Sequence, residues 1–212
     1  MPSNSMQHWN GCQVCVIDTE TTGLDPHFHE IWEICILPVD SDFNVRKDVF
    51  PFHITMKPEH PERVNDEANR LSKGNIAKAC REGHDQEKAK ELLDHWWNKL
   101  DLPYNAYGSR QCTVIPLGQN YGYDRGFIQR WLGTDLYGDY FHYHYRDTMT
   151  TALYLNDRAA SRGEPVPFSK VNLSYLASTL KIPHERAHTA LDDCNVTRQV
   201  YQRMQKMGGL LT

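Results

Sequence analysis

Residues 12–24 read CQVCVIDTETTGL, and the predicted fold and chemistry follow from this segment. Residues 12–18 are short, apolar and rich in Val and Ile, which predicts a buried β-strand. Asp18 and Glu20 follow at its carboxyl end, and side chains two residues apart in an extended chain point the same way. Two neighbouring carboxylates are costly unless a cation joins them, and Mg²⁺ and Mn²⁺ prefer oxygen ligands. Taken alone, the pair could equally be two solvated acids at a strand-to-loop junction.

Further elements follow from the spacing of apolar residues and from Pro and Gly. Strands are predicted at residues 31–39, 48–56, 112–117 and 140–145. Pro51 interrupts the second of these and demotes it to an edge position. Helices are predicted at residues 85–100, 121–132, 148–160, 172–180 and 188–207. The order of elements predicts an α/β layered domain with helices on both faces of a mixed sheet of about five strands.

Length and composition limit the domain organisation. The 212 residues suit one domain, which we place at residues 12–208 after a polar, flexible N-terminus at 1–11. Residues 57–84, with several Pro and Gly, should form loops around short helices. No apolar run approaches the ~20 residues of a membrane span, and the N-terminus lacks a signal-peptide core. We therefore expect a cytoplasmic protein with no membrane partner.

The charge and the cysteines exclude several classes of protein. The formal net charge of −4 provides no broad basic field, which counts against a protein that grips a long nucleic-acid duplex by its backbone. Six cysteines in a chain of this size do not indicate a disulfide framework. Cys12 and Cys15 form a C-x-x-C pair, but no second Cys/His pair lies nearby to complete a tetrahedral zinc site.

Asp124 lies on the apolar face of a predicted helix, which is unusual for an acid. It shares a stripe with Phe127, Ile128 and Trp131, three, four and seven residues further on. Burying an unpaired carboxylate is costly, so Asp124 needs a partner. A metal ion is one candidate partner, and a core arginine such as Arg146 is the alternative.

Asp192 and Asp193 are adjacent in the last predicted helix, and helical periodicity places them on different faces. Asp193 aligns with the apolar residues of this helix, which are Val196, Val200, Met204 and Met207. Asp192 aligns instead with Gln199, Arg203 and Lys206. The periodicity therefore nominates Asp193 as an inward-facing ligand and Asp192 as a surface residue. His188, five residues before Asp193, could reach over the helix end towards whatever Asp193 binds.

Three motifs in this order resemble those of the DEDDh 3′–5′ exonucleases, the family of polymerase proofreading subunits, oligoribonucleases and RNase T. The first is VIDTETTGL at residues 16–24, the second LGQNYGYD at 117–124, and the third HTALDD at 188–193. The resemblance spans roughly residues 12–205. Gln119 is a departure, because many relatives carry His at that position.

The resemblance implies an RNase H-like fold and a metal-dependent active site. It implies that two Mg²⁺ or Mn²⁺ ions are held by four carboxylates, those of Asp18, Glu20, Asp124 and Asp193. It also implies that His188 is the general base. The implied reaction removes nucleoside 5′-monophosphates from the 3′ end of DNA or RNA, and a single-stranded 3′ end is the expected partner.

Further residues match positions where the family meets its substrate. Thr21 and Leu24 match positions that contact the terminal nucleotide, and Asn120 matches one that shapes its pocket. Two other functions stay open: a catalytically weak module that binds nucleic acid or protein on the same fold, and a two-metal phosphoesterase for small nucleotides. The aromatic run at residues 137–145 could be a base-stacking platform or simply a half-buried strand.

Overall fold

A mixed sheet forms the centre of the computed structural model, which describes residues 12–102, 113–184 and 189–208. Its strands are β1 (Val14–Thr21), β2 (Ile31–Pro38), β3 (Phe52–Thr55), β4 (Ile115–Gly118) and β5 (Arg146–Asp147). They lie in the order β3-β2-β1-β4-β5. β1 is antiparallel to β2 and parallel to β4, so the first predicted strand is the central one. β3 lies at the edge, as Pro51 predicted.

Helices cover both faces of this sheet. In the described part of the chain they are α1 (Asp66–Leu71), α2 (Asn75–Glu82), α3 (Gln86–Trp97), α4 (Tyr121–Leu132), α5 (Thr134–Tyr140), α6 (Thr148–Ser161), α7 (Leu173–Thr179) and α8 (Ala190–Gly208). The segment 57–84 contains α1, α2 and a 3-10 turn at Pro61–Arg63. The predicted fold class, a mixed five-stranded sheet with helices on both faces, is confirmed.

Alternation along β1 assigns its side chains to two different cores. Cys15 and Ile17 pack with α3 and α4 on one face. Val14 and Val16 pack with Ala190 and Cys194 of α8 on the other face. Because side chains two residues apart share a face, the later even-numbered residues of β1 also face α8.

The strand predicted at residues 140–145 is wrong. The chain there completes α5 at Tyr140 and makes an isolated bridge from Phe141 to Val114, and strand structure resumes at Arg146. Tyr137, Tyr140 and Phe141 are all buried in one core cluster. Their spacing of three and four residues fits one side of a helical turn, which the apparent alternation of aromatic residues had obscured.

The remaining expectations from the sequence concern membrane spans, cellular location and domain boundaries. No helix among the described residues is long and apolar enough to cross a membrane. The cytoplasmic location stays a prediction, as does the assignment of residues 12–208 to one domain. The predicted flexible N-terminus, residues 1–11, lies outside the described residues.

Candidate active site

Three carboxylates converge where β1 ends and α8 begins. Asp18 and Glu20 lie on β1, and Asp193 lies in the first turn of α8. One carboxylate oxygen from each residue lies within 4.8 Å of the corresponding oxygens of the other two. Asp193 is 175 positions from Asp18 in the sequence, so only the fold brings these oxygens together.

The packing of α8 determines which of its two acids faces the sheet. Cys194 is fully buried, and its thiol donates weak hydrogen bonds to the carbonyls of Val16 and Cys35, both at 3.6 Å. This contact fixes the start of α8 against β1 and β2. Asp193 is 9% exposed and faces the cluster, whereas Asp192 is half-buried and accepts a hydrogen bond from Thr189 Oγ1 at 2.9 Å. The orientation of the two acids therefore agrees with the helical phase read from the sequence.

Asp124 approaches the same end of β1 from α4. It is 4% exposed, and its Oδ1 accepts hydrogen bonds from the backbone N–H of Thr19 at 2.9 Å and from the Thr19 hydroxyl at 2.7 Å. The charge of Arg146, the alternative partner that the sequence suggested, acts instead on Tyr201, where it offsets part of the rise in pKa that burial causes. Two neutral donors hold the Asp124 carboxylate in place without neutralising its charge.

The electrostatic state of the cluster follows from burial and mutual repulsion. Burial raises the pKa of Asp18 well above its usual range, and the charges of Asp124, Asp193 and Glu20 raise it further. Burial and then the charge of Asp193 raise the pKa of Glu20. Burial also raises the pKa of Asp124, and the hydrogen bonds from Thr19 offset only part of that effect. Asp18, Glu20 and Asp124 therefore favour binding a proton or a cation at neutral pH.

This donor set fits a hard divalent cation. All the converging atoms are carboxylate oxygens, which Mg²⁺ and Mn²⁺ prefer over nitrogen or sulfur ligands. A second group of possible ligands, Glu30, Glu59 and His60, also lies within 4.8 Å. In that group Glu59 is exposed, and Glu30 Oε2 already accepts the backbone N–H of His60 at 2.9 Å. The acids on β1 and α8 are therefore the stronger candidates for a metal site.

The histidine nearest to the cluster in the described structure is His184. Its Nε2 lies 2.6 Å from Asp193 Oδ1, and its side chain is 9% exposed. The sequence pattern did not nominate it, because it lies in the loop after α7, where neither strand nor helix periodicity applies. His188, which the third motif nominates, lies outside the described residues.

Two of the predicted substrate-contacting residues, Thr21 and Leu24, lie at the turn that follows β1. The hydroxyls of Thr21 and Tyr123 lie 2.7 Å apart, and they lie 2.7 and 2.9 Å from the carbonyl oxygen of Gly23. Leu24, the next residue, is 78% exposed. Asn120 is exposed and precedes α4 with a φ of 59°. The contact made by Tyr123, which links α4 to this turn, had no signal in the sequence.

Gly23 allows the turn after β1 to pack closely. A Cβ atom at this position would lie 2.2 Å from Cδ2 of the His29 ring, far inside van der Waals contact. Thr22 is fully buried and fastens the base of the turn, since its backbone N–H donates to the carbonyl of Glu30 at 2.8 Å. The turn that presents Leu24 to solvent is therefore held on both sides.

Comparison with known proteins agrees with the sequence motifs. Residues 15–107 match the family model RNase_T, described as exonuclease. This segment is therefore similar to the exonuclease family. The resemblance read from the first motif is thereby confirmed at the level of the family, and the match includes Asp18 and Glu20. Asp124 and Asp193 lie beyond the matched residues. No curated protein sequence matches the chain.

Solved structures share the fold. Cell-death related nuclease 4 superimposes with a TM-score of 0.69 at 17% identity, covering 92% of this chain and 64% of that protein. Escherichia coli exonuclease I in complex with a dT13 oligonucleotide superimposes with a TM-score of 0.68 at 18% identity, covering 92% of this chain and 41% of that protein. Exonuclease I from Methylocaldum szegediense superimposes with a TM-score of 0.68 at 20% identity, covering 92% of this chain and 40% of that protein. The chain thus has the exonuclease-type RNase H-like fold and spans less than two thirds of each of these proteins.

Divalent cations should stabilise the protein through this cluster. A ligand at 100 times its Kd adds about 2.7 kcal/mol to the free energy of unfolding, so saturating Mn²⁺ should raise the Tm by about 5–10 °C. Asp193→Asn should remove most of this rise, and Asp192→Asn should keep it. Thermal unfolding in EDTA and in Mn²⁺ measures the difference. An equal rise in both variants would show that the cation binds elsewhere.

Proposed function

We propose that this chain is a DEDDh-type, two-metal-ion 3′–5′ exonuclease that releases nucleoside 5′-monophosphates from the 3′ end of DNA or RNA. The observation that carries the proposal is the convergence of Asp18, Glu20 and Asp193 within 4.8 Å, on a fold shared with known nucleases. A protein has little structural reason to bring several acids together from distant parts of its chain. Binding of cations is the function that best explains this arrangement.

Four carboxylates would hold two Mg²⁺ or Mn²⁺ ions, those of Asp18, Glu20, Asp124 and Asp193. Such a pair of cations supplies charge neutralisation and Lewis acidity at a phosphodiester, a polyanion that otherwise resists hydrolysis. The residues of the chain supply orientation. Thr19 fixes the carboxylate of Asp124 through two hydrogen bonds, and the buried thiol of Cys194 fixes the helix that carries Asp193.

Single-stranded nucleic acid is the proposed substrate. Escherichia coli exonuclease I, which has the same fold, was crystallised in complex with a dT13 oligonucleotide. A net charge of −4 does not suit a grip on a long duplex backbone. It does suit a site where bound cations rather than basic side chains meet the phosphates.

The turn after β1 is the proposed site for the terminal nucleotide. Leu24 is exposed at its tip, where it could pack on the face of a terminal base. Thr21 lies at its base beside Tyr123, and Asn120 precedes the helix that carries Tyr123. Apolar packing on a base face does not distinguish one base from another, so we expect weak sequence preference.

Hydrolysis should depend on Asp193 and not on its neighbour. With Mn²⁺ and a 5′-labelled oligonucleotide, the wild type should produce a ladder that shortens from the 3′ end, and EDTA should stop it. Asp193→Asn should reduce cleavage to background, because it removes a ligand, whereas Asp192→Asn should stay within about twofold of wild type. Binding of DNA and RNA oligonucleotides without cleavage would favour a binding module on the same fold.

The general base can be tested by a matched pair of histidine variants. His188 is the proposed base, which takes a proton from the attacking water, whereas His184 contacts the Asp193 carboxylate directly. Loss of a general base costs about 10²–10⁴-fold in rate, so His188→Asn should lower kcat by that factor. His184→Asn should act more weakly and mainly on the Mn²⁺ concentration required. The reverse order of effects on kcat would assign the base to His184.

A further inference from the structure

Glu33 is a buried acid that the proposed reaction does not use. It lies in β2, where every residue is buried and Glu33 is the only charged one. Its exposure is 5%. An acid at such a position lowers the stability of the sheet unless another group compensates its charge.

Glu33 lies directly beside the carboxylate cluster. In the antiparallel pair formed by β1 and β2, Glu33 is opposite Glu20. It also faces α8, because Cys35 and Leu37, two and four residues further on, pack in the core on that side. Side chains directly opposite each other on one face are close neighbours, and like charges there destabilise the sheet. Glu33 thus adds a further negative charge next to Glu20.

His53 holds the Glu33 carboxylate on the side away from Glu20. Its Nε2 lies 2.7 Å from Glu33 Oε1, and a carboxylate can only accept, so the imidazole donates. His53 comes from the edge strand β3, with its side chain 34% exposed. A cavity of about 330 Å³ opens beside the pair, and Thr189, just before α8, also lines it. The pair therefore lies next to the start of α8 and its acid, Asp193.

We propose that Glu33 is a charge-setting residue that increases the affinity of the Asp18, Glu20 and Asp193 cluster for divalent cations. Glu33 contributes none of the converging ligand atoms. It acts through space, because a negative charge close to a cation site attracts the cation. His53 fixes the orientation of Glu33 and leaves the Glu20 carboxylate to the cation. The inference rests on the proposed function, since it requires the cluster to bind a cation.

Two variants separate the charge of Glu33 from its contact with His53. Glu33→Gln removes the charge at nearly constant shape, and His53→Phe removes the donor while the Glu33 charge remains. Isothermal titration with Mn²⁺, without nucleic acid, measures the Kd of each. We expect Glu33→Gln to raise the Kd about tenfold, as expected for one unit charge near a divalent ion, and His53→Phe to stay within about threefold.

Two results would overturn the inference: an unchanged Kd in Glu33→Gln, or an equal rise in both variants, which would make the pair purely structural. Glu33→Met, a second neutral variant of similar volume, covers the case in which the amide does not fold. Asp193→Asn separates this inference from the proposed function. If the wild type shows no Mn²⁺ binding that depends on Asp193, both fail. If that binding exists but does not depend on Glu33, only this inference fails.

Discussion

Repulsion between neighbouring, partly buried carboxylates is the constraint on which the rest of the site depends. Asp18, Glu20 and Asp193 present oxygens within 4.8 Å of one another, and Asp124 adds its charge to the same end of β1. This arrangement persists only if the scaffold is strong enough to hold the acids together against their mutual repulsion. The structure provides that strength by apolar packing on both faces of the central strand, whose odd- and even-numbered residues belong to separate cores.

Small polar contacts then place each acid within that scaffold. The Cys194 thiol anchors the start of α8 to two strands, and the residue before it, Asp193, is turned towards the sheet. Thr19 lies between Asp18 and Glu20 and faces the opposite side, where its backbone and hydroxyl hold Asp124. One strand therefore positions acids from two helices, and it does so through residues that carry no charge.

The sequence predicted the parts of the molecule that periodicity governs. The spacing of Asp18 and Glu20 implied a shared face, and helical phase distinguished Asp193 from Asp192. The strand at residues 140–145 was predicted wrongly because the periodicity of this segment is ambiguous. Phe141, Tyr143 and Tyr145 alternate there in the sequence, but α5 ends at Tyr140, and Tyr143 and Tyr145 are exposed; a short run cannot distinguish the two periods. His184, Thr19 and the pairing of Glu33 with Glu20 depend on loop paths and strand register, which no local pattern encodes.

The most direct test of the account is the position of a bound cation. Anomalous diffraction from crystals soaked in Mn²⁺ locates the metal independently of any activity. The account predicts a peak at roughly 2.0–2.3 Å from carboxylate oxygens of Asp18, Glu20 and Asp193, the usual range for small divalent cations. No peak at these residues, or a peak only at Glu30, Glu59 and His60, would contradict it.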